Sequence, residues 1–207
     1  MKIAVLGGAF DPPHIGHYLV ARQVVEQMNV DKVWFMVCHQ YFPAFPVKNA
    51  RISSFIERFS MTQLISLPPF VTSDFEYKYN KLSKTVNTLS LLKIHYPQHT
   101  FCWVIGSDQL STFYLWNNWK SIIKNNNIVI FPRDTDFVNL KQRVKQAFQI
   151  DTIPLNITVL ESSKLIISNI SSSHIRKRIR NHLTIQDMVD KKVEKFIVEH
   201  KLYLNSK

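Results

Sequence analysis

Two histidines three residues apart, His14 and His17, stand in the stretch Gly7-Gly8-Ala9-Phe10-Asp11-Pro12-Pro13-His14-Ile15-Gly16-His17, which also holds three of the chain's four glycines. At the start of a helix this spacing puts both imidazoles on one face within the first turn, where each can donate to a phosphate oxygen. Glycine alone allows positive φ at no steric cost and lets backbone approach a ligand closely. Gly7, Gly8 and Gly16 are therefore candidate contacts of a phosphorylated ligand. A second set of donors is Ile170-Ser171-Ser172-Ser173-His174-Ile175-Arg176. Its three hydroxyls, at a helix start, can cap free N–H groups or donate to phosphate, and Arg176 follows one turn on with a fork suited to phosphate oxygens. Gly106-Ser107-Asp108 closes a later apolar run with a carboxylate that can accept from ribose hydroxyls or organise a metal-bound water. Each motif also has a bland reading as a helix cap or an ordinary turn. Their joint presence is what favours phosphate chemistry.

Elements must carry these residues to one place. Residues 2–6 form an uninterrupted apolar run, the pattern of a parallel strand covered on both faces. Ile15, Leu19, Val20, Val24 and Met28 recur at helical spacing behind the glycines, so strand, turn and helix aim a helix N-terminus at the turn. Further strands are predicted at 33–38, 70–71, 100–105, 127–131 and 157–160. Helices are predicted at 52–67 and 86–94, the second capped by Thr85 and ended by Pro97. This alternation predicts an α/β fold, a Rossmann-like, doubly wound, mostly parallel sheet in a single domain spanning 1–207. Ligands of such sheets bind beyond the carboxyl ends of the strands, which gathers Gly7-Gly8, residues 39–48, Gly106 to Asp108 and Pro132-Arg133 around one crevice.

The chain has 207 residues, 45% of them hydrophobic, without an apolar run of the roughly 20 residues that a membrane helix requires. The strand starting at Lys2 leaves no space for a signal peptide, and Cys38 and Cys102 lack metal-ligand neighbours, so a cytoplasmic location with buried structural thiols is expected. The net charge of +11, from 26 Lys and Arg against 15 Asp and Glu, suits either nucleic acid or a steered polyanionic substrate.

The first motif resembles that of the nucleotidyltransferase superfamily related to class I aminoacyl-tRNA synthetases, and within it the nicotinate-nucleotide adenylyltransferase family. Residues 170–176 resemble that family's Ile-Ser-Ser-Thr-x-Ile-Arg motif, with Ser173 in place of threonine. Gly106, Asp108, Leu110, Trp116 and Trp119 resemble its Gly-x-Asp-x-Leu segment and tryptophan pair. The resemblance implies that Trp116 stacks on a pyridine ring, that Thr85 addresses the pyridine substrate, that Arg133 lies near the nucleotide, and that Lys48 reaches the phosphates. It gives Arg58 a structural role. Two departures bear on the acceptor: Lys84 replaces a tyrosine in Ser83-Lys84-Thr85, and Val47 replaces a histidine before Lys48.

The expected activity is transfer of AMP from ATP to nicotinate mononucleotide, giving deamido-NAD and pyrophosphate. His14, His17, Lys48 and Arg176 are the expected catalytic group. Gly7, Gly8, Ala9, Phe10, Gly16, Thr85, Gly106, Asp108, Trp116, Arg133, Ile170, Ser171, Ser172, Ser173 and Ile175 are the expected substrate contacts. Mg²⁺ is expected to bridge substrate phosphates with no protein metal cage. The alternative acceptors are nicotinamide mononucleotide, phosphopantetheine and a choline-type phosphate. A synthetase-like or RNA-binding module is the rival of another class. A homo-oligomer is left open.

Overall fold

The computed structural model describes residues 1–40, 52–80, 82–133 and 139–204. Their six strands are β1 Lys2–Gly8, β2 Lys32–Val37, β3 Phe70–Ser73, β4 Thr100–Gly106, β5 Asn127–Phe131 and β6 Ile157–Val159. They form one sheet in the order β3-β2-β1-β4-β5-β6. Every pairing is parallel. The order reverses between β1 and β4, so the switch-point crevice opens beyond Gly8 and Gly106. The doubly wound parallel sheet expected from the alternation of apolar runs is thus present.

Alternating side chains of the strands feed two cores. Ile3, Val5, Trp103, Ile105, Ile128 and Ile130 pack on one face with Leu89, Leu92 and Phe113. Ala4, Phe35, Val37, Val104, Val129 and Phe131 face the other way, against Phe10, Ala21 and Val24. Burial on both faces explains why these strands read as unbroken apolar runs.

The described helices are α1 Ile15–Met28, α2 Phe55–Leu64, α3 Phe75–Tyr79, α4 Thr85–His95, α5 Trp119–Asn125, α6 Leu140–Phe148, α7 Ser172–Arg180 and α8 Lys191–Glu199. A 3-10 helix spans Ser107–Leu115 and another Ser162–Lys164. α2 is shorter than the predicted 52–67 because Ser54 and Glu57 form a capping box: the Ser54 hydroxyl accepts from the Glu57 amide at 3.3 Å and the Glu57 carboxylate from the Ser54 amide at 2.8 Å. At α4 the cap position belongs to Lys84, and Thr85 is the first helical residue. A third core of Met61, Ile175, Ile185, Val189, Val193 and Ile197 joins α2, α7 and α8. It fixes α7 beside the crevice.

The glycines act differently from the expectation. None has positive φ; in the motif the left-handed residue is Phe10, at φ 53°. Gly7 and Gly8 lie inside β1 rather than after it. What they supply is space, since a Cβ on Gly7 would lie 2.5 Å from the Trp103 ring, and one on Gly16 would lie 3.0 Å from the His14 imidazole.

Candidate active site

A cleft of about 530 Å³ opens at the switch point. It is lined by Gly7, Gly8, Ala9, Phe10, His14, Gly16 and His17 from β1 and α1, by Gly106, Asp108 and Trp116 from the segment after β4, by Arg133 after β5, and by Ser171, Ser172, Ser173 and Arg176 of α7. Thr85 lines it from the start of α4. Two stretches 160 residues apart in sequence thereby share one hollow. Ile170 and Ile175 do not line it: Ile175 is fully buried in the third core, while the Ile170 carbonyl accepts from Arg133 Nη2 at 3.3 Å. Both shape α7 from behind. Lys48 lies outside the described residues.

His14 occupies the cap position of α1 with extended backbone, and its ring lies 3.8 Å between centroids from the His17 ring, tilted by 33°. The His14 amide donates to His17 Nδ1 at 3.2 Å. In the neutral ring this leaves the His17 proton on Nε2, so His17 is a donor at that nitrogen. His14 is 4% exposed, and its Nδ1 has no partner among the described residues. Burial, reinforced by the Arg133 guanidinium, pushes His14 down to about 3. Burial, then His14 and Arg133, hold His17 well below the ordinary imidazole range. Both rings are therefore neutral near pH 7. An orphaned buried nitrogen on a cleft wall is a costly arrangement that a ligand can relieve.

α7 is seated by its own serines. Ser171 Oγ accepts from the His174 amide at 3.2 Å as the helix cap, Ser172 Oγ donates to the Pro12 carbonyl at 2.9 Å, and Ser173 Oγ accepts from Arg176 Nη2 at 3.3 Å. The hydroxyls thus dock helix to loop, and the free amides of the helix start remain for an anion. Arg133 donates its amide to Ser107 Oγ at 2.9 Å and stands 3.6 Å from the Asp108 carboxylate. That pair is partly exposed and weak, so either member can exchange its partner for substrate.

Behind the lining, Arg58 is fully buried. Its guanidinium donates to the carbonyls of Ala9 at 3.0 Å, Cys38 at 2.7 Å, His39 at 3.2 Å and Ser53 at 3.0 Å. Arg58 clamps three segments around the cleft. Cys102 is buried, and that burial pushes its thiol up to about 11; Cys38 is buried as well.

The other end of the cleft contains residues that the sequence did not single out. Glu76 of α3, 3% exposed, lines the cleft beside Ser83, Lys84 and Thr85. Its Oε1 accepts from Thr88 Oγ1 at 2.6 Å, and Asn80 Nδ2 donates to Thr88 Oγ1 at 2.7 Å and to the Lys84 carbonyl at 2.9 Å. The Ser83 hydroxyl accepts from the His39 amide at 2.9 Å. Burial raises the Glu76 carboxyl to about 7, against the opposing pull of hydrogen bonds from Ser83 and Thr88 and of the Arg58 charge. No motif marks Glu76, because its importance comes from where α3 lands. Trp116 packs against Phe113 at 4.8 Å and reaches the cleft, whereas Trp119 begins α5 and packs on the same core.

Among the described residues no helix is long and apolar enough to cross a membrane, and no group of three or more His, Cys, Asp or Glu could hold a metal ion.

Residues 5–178 match the family described as cytidylyltransferase-like. A Cytophaga hutchinsonii protein named "probable nicotinate-nucleotide adenylyltransferase" is 32% identical over 208 residues, covering 99% of this chain and 100% of that protein. A Hydrogenobaculum protein of the same name is 34% identical over 211 residues, covering 100% of both. Plasmodium falciparum nicotinic acid mononucleotide adenylyltransferase complexed with NaAD superposes with a TM-score of 0.77 at 21% identity, over 98% of this chain and 97% of that one. This last likeness concerns the fold. With matches spanning nearly its whole length at over 30% identity, the chain belongs to the nicotinate-nucleotide adenylyltransferase family.

Proposed function

We propose that the chain transfers AMP from ATP to nicotinate mononucleotide, yielding deamido-NAD and pyrophosphate. An oxygen of the acceptor's 5'-phosphate attacks the α-phosphorus of ATP, the bond from that phosphorus to the bridging α,β-oxygen breaks, and pyrophosphate leaves with the electron pair. Two anions must meet in line, so the protein's work is alignment and charge neutralisation. His17 Nε2 and the orphaned ring of His14 donate to the α- and β-phosphates. The amide-bearing start of α7 and Arg176 hold the departing pyrophosphate, with Lys48 assigned to the same phosphates. Trp116 offers a face to the pyridine ring. Lys84 lines the cleft beside Thr85, and its charge complements the carboxylate of the acid form.

The observation that carries this reading is the convergence of two neutral imidazoles, a helix start and an arginine on one hollow. Neutral donors suit a triphosphate that arrives with its own cation. The cleft carboxylates fit that division of labour, since Asp108 faces Arg133 and Glu76 is held by Thr88. Mg²⁺ would be held by the substrate phosphates and water rather than by this chain, and would supply charge neutralisation there.

The test is pyrophosphate release from ATP and Mg²⁺ with nicotinate mononucleotide, nicotinamide mononucleotide and phosphopantetheine offered separately. The acid should give the highest kcat/KM. A preference for the amide would replace the acceptor, and turnover with none of the three would overturn the reading.

A further inference from the structure

Asp11 lies inside the first motif yet faces away from the cleft, fully buried. Three distant parts of the chain meet on it. Its Oδ1 accepts from the Tyr203 phenol, 192 residues away, at 2.7 Å, and its Oδ2 accepts from the Ser53 amide at 3.2 Å. Arg176 approaches from α7: its Nη1 donates to the Asp11 carbonyl at 2.6 Å and stands 3.8 Å from Oδ2, short of a forked ion pair. We propose that Tyr203 is a positioning residue for adenylyl transfer: by occupying Asp11 Oδ1 it keeps the carboxylate from closing on Arg176 and leaves the guanidinium available to the departing pyrophosphate.

The physical argument is competition for one carboxylate. A guanidinium and a carboxylate form their strongest contact as two parallel hydrogen bonds, which needs both oxygens turned toward the guanidinium. Here one oxygen belongs to a phenol and the other is shared with an amide, so Arg176 takes the neutral carbonyl instead. Removing the hydroxyl leaves a buried charged acceptor unsatisfied, and rotation of the carboxylate toward Arg176 relieves that cost. The phenol is a dependable donor, because burial and the neighbouring Asp11 charge raise its ionisation far beyond the working range. No other part of the proposed mechanism calls on Tyr203.

This inference rests on the assignment of Arg176 to the phosphates, and a double-mutant cycle separates the two. Arg176→Ala tests the assignment: near wild-type kcat/KM for ATP in that variant overturns it. Tyr203→Phe should lower kcat/KM for ATP about tenfold, the scale of one hydrogen bond to a charged group. In the Arg176→Ala background the same change should cost less than about twofold, since the group it acts through is gone. An equal loss in both backgrounds overturns the positioning role. Leu202→Ala loosens the same apolar packing without touching the hydroxyl. It should lower Tm and leave kcat unchanged; a loss of activity matching that of Tyr203→Phe would show that packing alone is at stake. Rescue supplies an independent readout. Asp11→Asn added to Tyr203→Phe removes the charge that captures Arg176 and should restore most of the lost kcat/KM, while failure to restore it overturns the proposal.

Discussion

The two ends of the cleft are built from different connections. At the end proposed to hold the triphosphate the contacts that matter join residues 11 and 12 to residues 172, 176 and 203, across almost the whole chain. At the end proposed for the acceptor they close mostly within residues 76–88, through Glu76, Asn80, Lys84 and Thr88, with the His39 amide joining Ser83 from beyond β2. Burial also acts on opposite groups. It makes two imidazoles neutral at the first end and favours a neutral carboxyl at the second. A long-range site constrains each residue from several segments at once, whereas a local one can change a side chain without disturbing the sheet. Lys84, where the family resemblance leads one to expect tyrosine, stands at the local end.

Opposite burial effects imply opposite pH dependences, and this offers the largest expected effect. The folded-state pKa of His14 is depressed from 6.5 to about 3, so the unfolded chain binds the proton first and stability present above pH 6.5 is lost as pH falls toward 3. Glu76 is raised from 4.5 to about 7, so its buried form costs stability as pH rises from 4.5 through 7. In the wild type the two trends mask each other. His14→Gln should remove the acid limb, gaining on the order of 3 kcal/mol relative to wild type between pH 7 and pH 4.5. Denaturant unfolding of both proteins across that range measures it. A difference that does not change with pH would mean that the imidazole is not buried as described.

The next effect concerns catalysis at the same end. His17→Ala should lower kcat by on the order of 10²-fold, the size found when one transition-state donor is removed. KM for the acceptor should stay within a few-fold, because the change is confined to the triphosphate end. Pyrophosphate release at near wild-type rate would take His17 out of the reaction. If acceptor KM rises as sharply as kcat falls, the division of the cleft into two ends does not hold.

How much of this was legible in the sequence follows the same division. The apolar runs revealed the parallel sheet because strands buried on both faces carry no polar interruptions, and the glycine and histidine spacing pointed to one wall of the cleft, where Gly7, Gly8, His14, Gly16 and His17 come together. The reason given for the glycines needed revision: Gly7 and Gly16 make room for Trp103 and His14, and Phe10 takes the left-handed turn. Ile175 belonged to a recognisable motif yet serves the core, since α7 presents one face to the cleft and the other to Met61 and Val193. Asp11, Glu76 and Tyr203 could not be found by spacing. Their roles exist only once the fold has brought an arginine, a threonine or a carboxylate beside them.

Glu76 gives an effect of the same order, and one that sharpens the acceptor end. Glu76→Gln keeps the contact with Thr88 and removes the ionisation that burial opposes. The variant should gain on the order of 3 kcal/mol over wild type at pH 8 and almost nothing at pH 4.5, where both side chains are neutral in the folded protein. Unfolding midpoints at the two pH values decide it. If the variant is less stable at pH 8, the ionised carboxylate is better satisfied by Ser83, Thr88 and Arg58 than its burial implies.

The smallest effect tests whether the local end reads the pyridine ring at all. Trp116 lines the cleft while its ring packs on Phe113, tilted by 37°. Trp116→Ala should raise KM for the pyridine mononucleotide by roughly fivefold to tenfold, about 1 kcal/mol for one aromatic pair, with KM for ATP within twofold of wild type. Trp116→Phe should recover most of the loss, since a smaller ring retains a face. A matched rise in both KM values would mean that Trp116 supports the cleft as a whole through Phe113, and that the pyridine ring is held by another surface.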